Sequence, residues 1–213
     1  MNIIDKITVN EQSSIRIAAD KALYFDPLHI SGELHDADII FITHEHFDHF
    51  SPDDIVRVSN SDSLFVAPES MSKTFHAANI PADKVTYLKP NDSTSILGIP
   101  VESVPAYNLM KPFHPRGNGW LGYVVTVDDT RIYVCGDTDA TKEGKSVKCD
   151  IICVPICGTY TMTAKQAAEF VNAVAPKFAI PIHYGTIVGK PKDADEFERF
   201  VDSSAQVIRK IKL

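Results

Sequence analysis

Long hydrophobic runs are missing from this 213-residue chain. No stretch approaches the roughly 18 uninterrupted apolar residues of a membrane-crossing helix, so no membrane partner is expected. A cationic surplus is missing too: 21 Lys+Arg stand against 28 Asp+Glu, a formal charge of −7. That balance argues against nucleic acid or an anionic bilayer as the main partner, because both are gripped by excess cations. Only four cysteines occur, Cys135, Cys149, Cys153 and Cys157, and the last three are spaced by four. They form neither the C-x-x-C of a zinc ribbon nor a disulfide framework. Cys153, inside Asp150-Ile151-Ile152-Cys153-Val154-Pro155, reads as a core thiol. The start, Met1-Asn2-Ile3-Ile4-Asp5-Lys6, has no basic segment ahead of an apolar one. A reducing, cytoplasmic setting is therefore expected. Repeats, low-complexity tracts and linkers are also absent, so residues 1–213 read as a single domain. With 44% hydrophobic and 23% charged residues, 13 Pro and 10 Gly, the chain has globular composition.

What is present is an alternation of strand and helix signals. Ser14–Ala18 and Ala22–Phe25 predict a hairpin, and Asp38–Thr43 an apolar strand running into a His-rich loop. Ser51-Pro52-Asp53-Asp54 marks a helix start: a serine cap, proline at the first position, acid in the first turn. Strands follow at residues 63–67 and 84–88, with a helix over 68–78 between them. A β-rich stretch covers 95–97, 101–104, 120–127 and 131–135, and a strand covers 149–156. Thr163-Ala164-Lys165-Gln166 is a capping box for a helix through Val174. Another strand is predicted at 178–182, a helix at 193–201 and a closing strand at 206–212. Two β-rich halves, each followed by α/β crossovers, suggest an α/β fold of four layers, an αββα sandwich.

The most informative segment is Thr43-His44-Glu45-His46-Phe47-Asp48-His49, which puts three histidines and an aspartate within six residues. Imidazole nitrogen and carboxylate oxygen suit Zn²⁺, Mn²⁺ or Fe²⁺. In extended chain His44 and His46 point the same way, because side chains alternate with period two. The chain must then turn before Asp48 and His49, which can face a second centre. Two metals served from one loop is the reading this spacing supports.

His-x-His-x-Asp-His after an apolar strand resembles the signature of the metallo-β-lactamase superfamily, and later motifs follow in the same order. Gly136-Asp137-Thr138 resembles the Gly-Asp motif whose aspartate bridges two metals. Ile182-His183-Tyr184 resembles the late strand-end histidine of the second site. The likeness runs from Asp26-Pro27 to His183 and is nearest to a short bacterial branch that includes ascorbate-6-phosphate-lactonase-like proteins. It implies a metallo-β-lactamase-like sandwich with two divalent ions, zinc foremost, with manganese or iron also suited. By the same resemblance, His44, His46 and His114 would hold one ion and Asp48, His49 and His183 the other, with Asp137 between. For the third histidine of the first ion, His114 is favoured and the slot of Asn108 is the alternative. Asp48 is implied as a catalytic residue that orients the attacking hydroxide.

The activity implied is hydrolysis of a small ester, lactone or phosphodiester by a metal-bridging hydroxide, and two cations leave an anionic small-molecule substrate reasonable. A nuclease of the same superfamily is a second reading, for which 213 residues at −7 leave little basic surface. Iron redox chemistry on the same scaffold is a third. The di-iron branch carries glutamate at the second motif position, where this chain has His46. A non-catalytic metal sensor is a fourth. Among other residues, His29, His35 and His76 have no ligand-spaced partner, and Glu45 alternates away from its neighbours. Asp26 is open between a turn role and a hydrogen bond to a metal-binding histidine. Trp120 reads as core packing and Cys157 as a small buried residue. Tyr107, Asn108, Tyr160 and Tyr184 flank the motifs and are candidates to line the pocket.

Overall fold

Alternate residues of the apolar runs face opposite ways, and this builds the layers. In the computed structural model, which describes residues 2–212, Ile39 and Phe41 join one apolar cluster while Ile40 and Ile42 join another. Val66 follows the first pair; Phe65 and Ala67 follow the second. Each strand is therefore apolar on both faces, as a sheet covered on both sides requires.

The first sheet holds β1 (Ile7–Val9), β2 (Ile15–Ala18), β3 (Ala22–Phe25), β4 (Ile39–Phe41), β5 (Leu64–Pro68) and β6 (Val85–Leu88), in that spatial order. Strands β1 to β3 pair antiparallel, and β3 to β6 pair parallel. The second sheet holds β7 (Ser93–Ile96), β8 (Ile99–Pro105), β9 (Leu121–Val127), β10 (Thr130–Val134), β11 (Ile151–Pro155), β12 (Phe178–Ile182) and β13 (Gln206–Val207), likewise in sequence order. It repeats the scheme, antiparallel from β7 to β10 and parallel from β10 to β13.

The sheets stack through Phe25, Phe41 and Tyr123, with ring centroids 4.5 and 5.3 Å apart along that series. Of the helices α1 (Ile3–Lys6), α2 (Pro52–Val58), α3 (Ser72–Ala77), α4 (Lys142–Lys145), α5 (Ala164–Val174) and α6 (Asp193–Phe200), two cover the outer face of the first sheet. Ile55 and Val58 of α2 and Phe75 of α3 pack there on Ile40, Ile42 and Phe65. Helix α5 covers the second sheet over β11 and packs on α6. The result is an α/β sandwich of two mixed sheets with helices on the outer faces, in keeping with the four layers expected.

Most predicted elements are present, with four corrections. Helix α1 and strand β1 precede the predicted hairpin; both are too short to give a periodic signal. Residues 68–78 are not one helix: Pro68 ends β5, Glu69–Met71 is a 3-10 turn, and α3 begins at Ser72. The closing strand is only Gln206–Val207. Helix α4 was not predicted; Thr141 caps it by accepting from Gly144 N. Elsewhere the local signals read as expected, including the serine cap of α2 and the complete capping box of α5.

The parallel strands of both sheets end at one edge, where the chain must turn sharply. Gly136, just after β10, has φ +64°. A Cβ there would stand 2.9 Å from the Leu121 carbonyl oxygen and 3.2 Å from Thr43 Cβ. Glycine is required twice over, for the left-handed backbone and for the close approach of the two sheets. Gly136→Ala is expected to lower stability by about 1–3 kcal/mol in urea unfolding. Gly117→Ala is the control, since its Cβ would meet nothing within 4 Å; it should stay within about 0.5 kcal/mol of the parent.

Candidate metal centre

The segment after β4 carries Thr43 to His49 across the ends of both sheets. Tyr123 OH donates to the Ile42 carbonyl at 2.8 Å, and Leu121 N to the Thr43 carbonyl at 3.2 Å, fixing the segment against β9. Asp137 arrives from the end of β10, and His183 from the end of β12 with φ +57°, its N–H donating to the Gln12 carbonyl at 2.9 Å. His114 comes from the long connection between β8 and β9.

These seven residues converge. His44, His46 and His114 form one group whose ligand atoms lie within 4.8 Å of one another; Asp48, His49 and His183 form a second; His44, His49 and Asp137 form a third that joins them. Asp137 stands between the first two. Its Oδ2 is 3.3 Å from His114 Nε2 and 3.3 Å from His183 Nε2, and its Oδ1 is 3.4 Å from His49 Nε2. Asp48 Oδ2 is 3.2 Å from His183 Nε2.

The outward ring nitrogens decide which nitrogen faces in. Asp26, fully buried after β3, accepts from Thr43 N at 2.8 Å, from Thr43 Oγ1 at 2.6 Å and from His49 Nδ1 at 2.7 Å. The Thr43 hydroxyl proton is thus spent on Asp26, and its oxygen accepts from His44 Nδ1 at 3.0 Å. His114 Nδ1 donates to Asn108 Oδ1 at 3.1 Å, an oxygen that also receives the His114 N–H. In all three rings Nδ1 is the outward, hydrogen-bonded nitrogen and Nε2 is the one that faces inward, the arrangement that orients metal-binding histidines. His114 Nε2, His49 Nε2 and Asp137 Oδ1 are buried with no hydrogen-bond partner. Three unpartnered buried atoms aimed at common points are what a cation site needs, and the mixed nitrogen and carboxylate donors fit a zinc-like ion. His183 is different, for its buried Nδ1 is the atom left without a partner.

Charge is arranged to match. Burial, and then the neighbouring imidazoles, push His44 and His46 below the ordinary histidine range. Burial opposes charge on His49 and His183 as well, but Asp137, with Asp26 beside one ring and Asp48 beside the other, holds both above it. Burial would raise Asp137, yet His183 and His49 keep it well below the usual carboxylate range. Asp137 is thus biased toward its charged form and His49 and His183 toward their protonated forms, and a cation bound here would take the place of those protons.

Other sequence candidates fall in different places. Asn108 supports His114 from behind and does not stand in its slot. Asp26 takes the hydrogen-bonding role that was one of its two readings. Trp120 is buried, as core packing requires, but its ring lies against His44, His46 and His114 at centroid distances of 5.0, 4.9 and 5.6 Å. Tyr107 turns away to Glu143, Tyr184 is buried, and only Tyr160 of the flagged tyrosines lines the cavity. Glu45 is exposed and accepts from Thr74. Cys157 is buried beside Thr161, and all four cysteines are free. Sequence reasoning missed Asp139, which accepts from Leu109 N and Lys111 Nζ and ties the His114 connection to the Asp137 turn. A second acid two residues after Asp137 was its signal. It also missed Phe47, Phe113 and Ile187, apolar side chains on the rim of a cavity of about 390 Å³ that His46, Asp48, His114, Asp137 and His183 line from inside.

Comparison with known proteins agrees with this geometry. Residues 6–183 match the model of the beta-lactamase superfamily domain. The chain belongs to that superfamily. Its relatives include the UPF0173 metal-dependent hydrolases of Hyperthermus butylicus and Caldivirga maquilingensis, each 30% identical, over 83% and 84% of this chain and 78% of theirs. Both are archaeal, and neither carries the ascorbate-6-phosphate-lactonase-like name of the bacterial branch that the sequence resembles. A crystal structure described as a metal-dependent hydrolase, from Parabacteroides distasonis, superposes with TM-score 0.81 at 31% identity, covering 97% of this chain and 93% of that one. The metallo hydrolase Igni18 of Ignicoccus hospitalis shares the fold at TM-score 0.76 and 19% identity, over 97% and 95%. Those relatives are named metal-dependent hydrolases, and this chain carries clusters able to hold metal. Among the described residues no helix is long and apolar enough to cross a membrane.

Because Asp26 sets the orientation of His49 directly and of His44 through Thr43, Asp26→Ala is expected to weaken zinc binding roughly 10- to 100-fold. Competition against a chelator, followed by the fluorescence of the single tryptophan lying on three of the rings, measures it. Unchanged affinity would show that the rings hold their orientation unaided.

Proposed function

We propose that this protein is a dinuclear hydrolase of small esters or lactones, phosphodiesters being the alternative bond type. His44, His46 and His114 would hold one divalent cation, Asp48, His49 and His183 the second, and Asp137 would bridge them. Zinc is the first candidate, and manganese or iron suit the same donors. The observation that carries the reading is the meeting of two three-residue donor groups on one buried carboxylate, with inward atoms that nothing in the protein satisfies.

Two adjacent cations, when bound, polarise the scissile carbonyl and make water acidic enough to attack at neutral pH. The protein's own part is positional. Asp26, Thr43 and Asn108 hold the imidazoles in one tautomer, so no reorientation accompanies the reaction. Asp48 lines the cavity and is the metal-facing carboxylate with the greater exposure, 11% against 3% for Asp137. Its cavity-facing position supports a role in orienting the attacking water as well as in holding metal. The buried histidines and Trp120 close the back of the site. A nuclease is not favoured, because no lysine or arginine lines this cavity.

Elemental analysis of protein purified without chelator should find two divalent ions per chain. His46→Ala and Asp137→Ala should each lose metal and lower ester hydrolysis at least roughly a hundredfold. Full activity in Asp137→Ala, or protein that is active without stoichiometric metal, would overturn the reading.

A further inference from the structure

The metal-facing groups share the cavity lining with five others, Phe47, Phe113, Tyr160, Ile187 and Val188. Phe47 is 74% exposed, and Phe113, Tyr160 and Ile187 are 37–40% exposed. Single exposed apolar residues are ordinary, but four around one opening next to convergent polar groups form the wall of a binding site. Phe113 and Tyr160 meet edge to face with centroids 4.8 Å apart. The wall is held in place: Asn108 Nδ2 donates to the Tyr160 carbonyl at 3.0 Å, and Lys111 Nζ to the Thr161 carbonyl. Asn108 thus fixes both His114 and the segment that carries Tyr160.

The two cations that flank Phe113 and His114 on their connection, Lys111 and Arg116, are already engaged. Lys111 Nζ is 3.0 Å from Asp139 Oδ1. Arg116 pairs with Glu143 at 2.8 Å and lies over the Tyr107 ring. A phosphate or carboxylate on the far end of a substrate would lose its water against apolar side chains, with no cation to replace it.

We infer that the non-reacting part of the substrate is uncharged and apolar, an aromatic or branched aliphatic acyl group seated on Phe47, Phe113, Tyr160 and Ile187. This rests on the hydrolase reading and adds the substrate class to it. A cavity of about 390 Å³ is at the small end of ligand pockets, which suits one such group beside the reacting carbonyl.

Two measurements on the metal-loaded protein test it. Calorimetry compares an inert uncharged probe, N-methyl-4-phenylbutanamide, with the same amide carrying a phosphate on the ring. The uncharged probe should bind at least about tenfold tighter, and Phe113→Ala and Tyr160→Ala should each weaken it about three- to tenfold. Equal or tighter binding of the phosphorylated probe, or no effect of either substitution, overturns the inference. Turnover then compares the 4-nitrophenyl esters of 4-phenylbutyrate and of succinate, the second ending in a free carboxylate. A higher kcat/KM for the phenyl ester supports the inference; an equal or higher value for the succinyl ester overturns it and leaves the hydrolase reading standing. If neither ester is cleaved while the binding preference holds, the ester assignment in the hydrolase reading fails and the apolar specificity stands.

Discussion

One buried carboxylate sets the orientation of half the site. Asp26 has no exposed surface, and its oxygens take the Thr43 amide, the Thr43 hydroxyl and His49 Nδ1. The hydroxyl then has only its lone pairs to offer His44, so a single acid fixes the tautomer of two imidazoles. Burial raises the proton affinity of Asp26, and what keeps a charge useful there is the ring it faces. A buried carboxylate next to an apolar strand is costly unless every lone pair is used. Here its use is to deny His44 and His49 any alternative rotation.

The fold makes such a device possible because both sheets stop at the same edge. Asp26, the segment 43–49, Asp137 and His183 follow four different strand ends, and each brings its side chain inward without a long loop. The Leu121–Thr43 hydrogen bond and the missing side chain at Gly136 let the sheets approach closely enough for Asp137 to stand among the histidines. Ligand binding at the carboxyl ends of parallel strands is the general habit of α/β sheets. This chain applies it twice, once per sheet, and builds the site where the two edges meet.

That regularity explains what could be read in advance. The motif from His44 to His49 was legible because strand alternation and the turn at residues 46–49 are local rules, and the turn is present as His49 and Phe50 N–H donating to the His46 carbonyl. Asp137 and His183 were legible as strand-end residues in a known order. His114 was favoured over Asn108 by donor chemistry alone, since both lie on an irregular connection of 15 residues between Pro105 and Leu121. Their roles depend on which one the loop aims inward, and the structure uses both, one facing in and one bracing it. Phe47 carried no signal of its own in the sequence, and it is the turn at residues 46–49 that brings it to the cavity mouth.

The same division separates reaction from specificity. Apart from His114, the residues that would hold cations follow strand ends, where packing on both faces leaves little freedom. Phe113, Tyr160 and Ile187 lie on connections, and of these three only Phe113 is next to a metal-facing histidine. Changing them alters what is held near the centre without touching the hydrogen bonds that orient it, whereas Asn108 touches both because one amide serves His114 and the Tyr160 carbonyl. Relatives that keep the strand-end residues and vary the connections can thus share the metal chemistry and differ in substrate. This is why a family likeness at 30% identity over most of the chain speaks for the reaction and leaves the acyl group to be argued from the cavity wall.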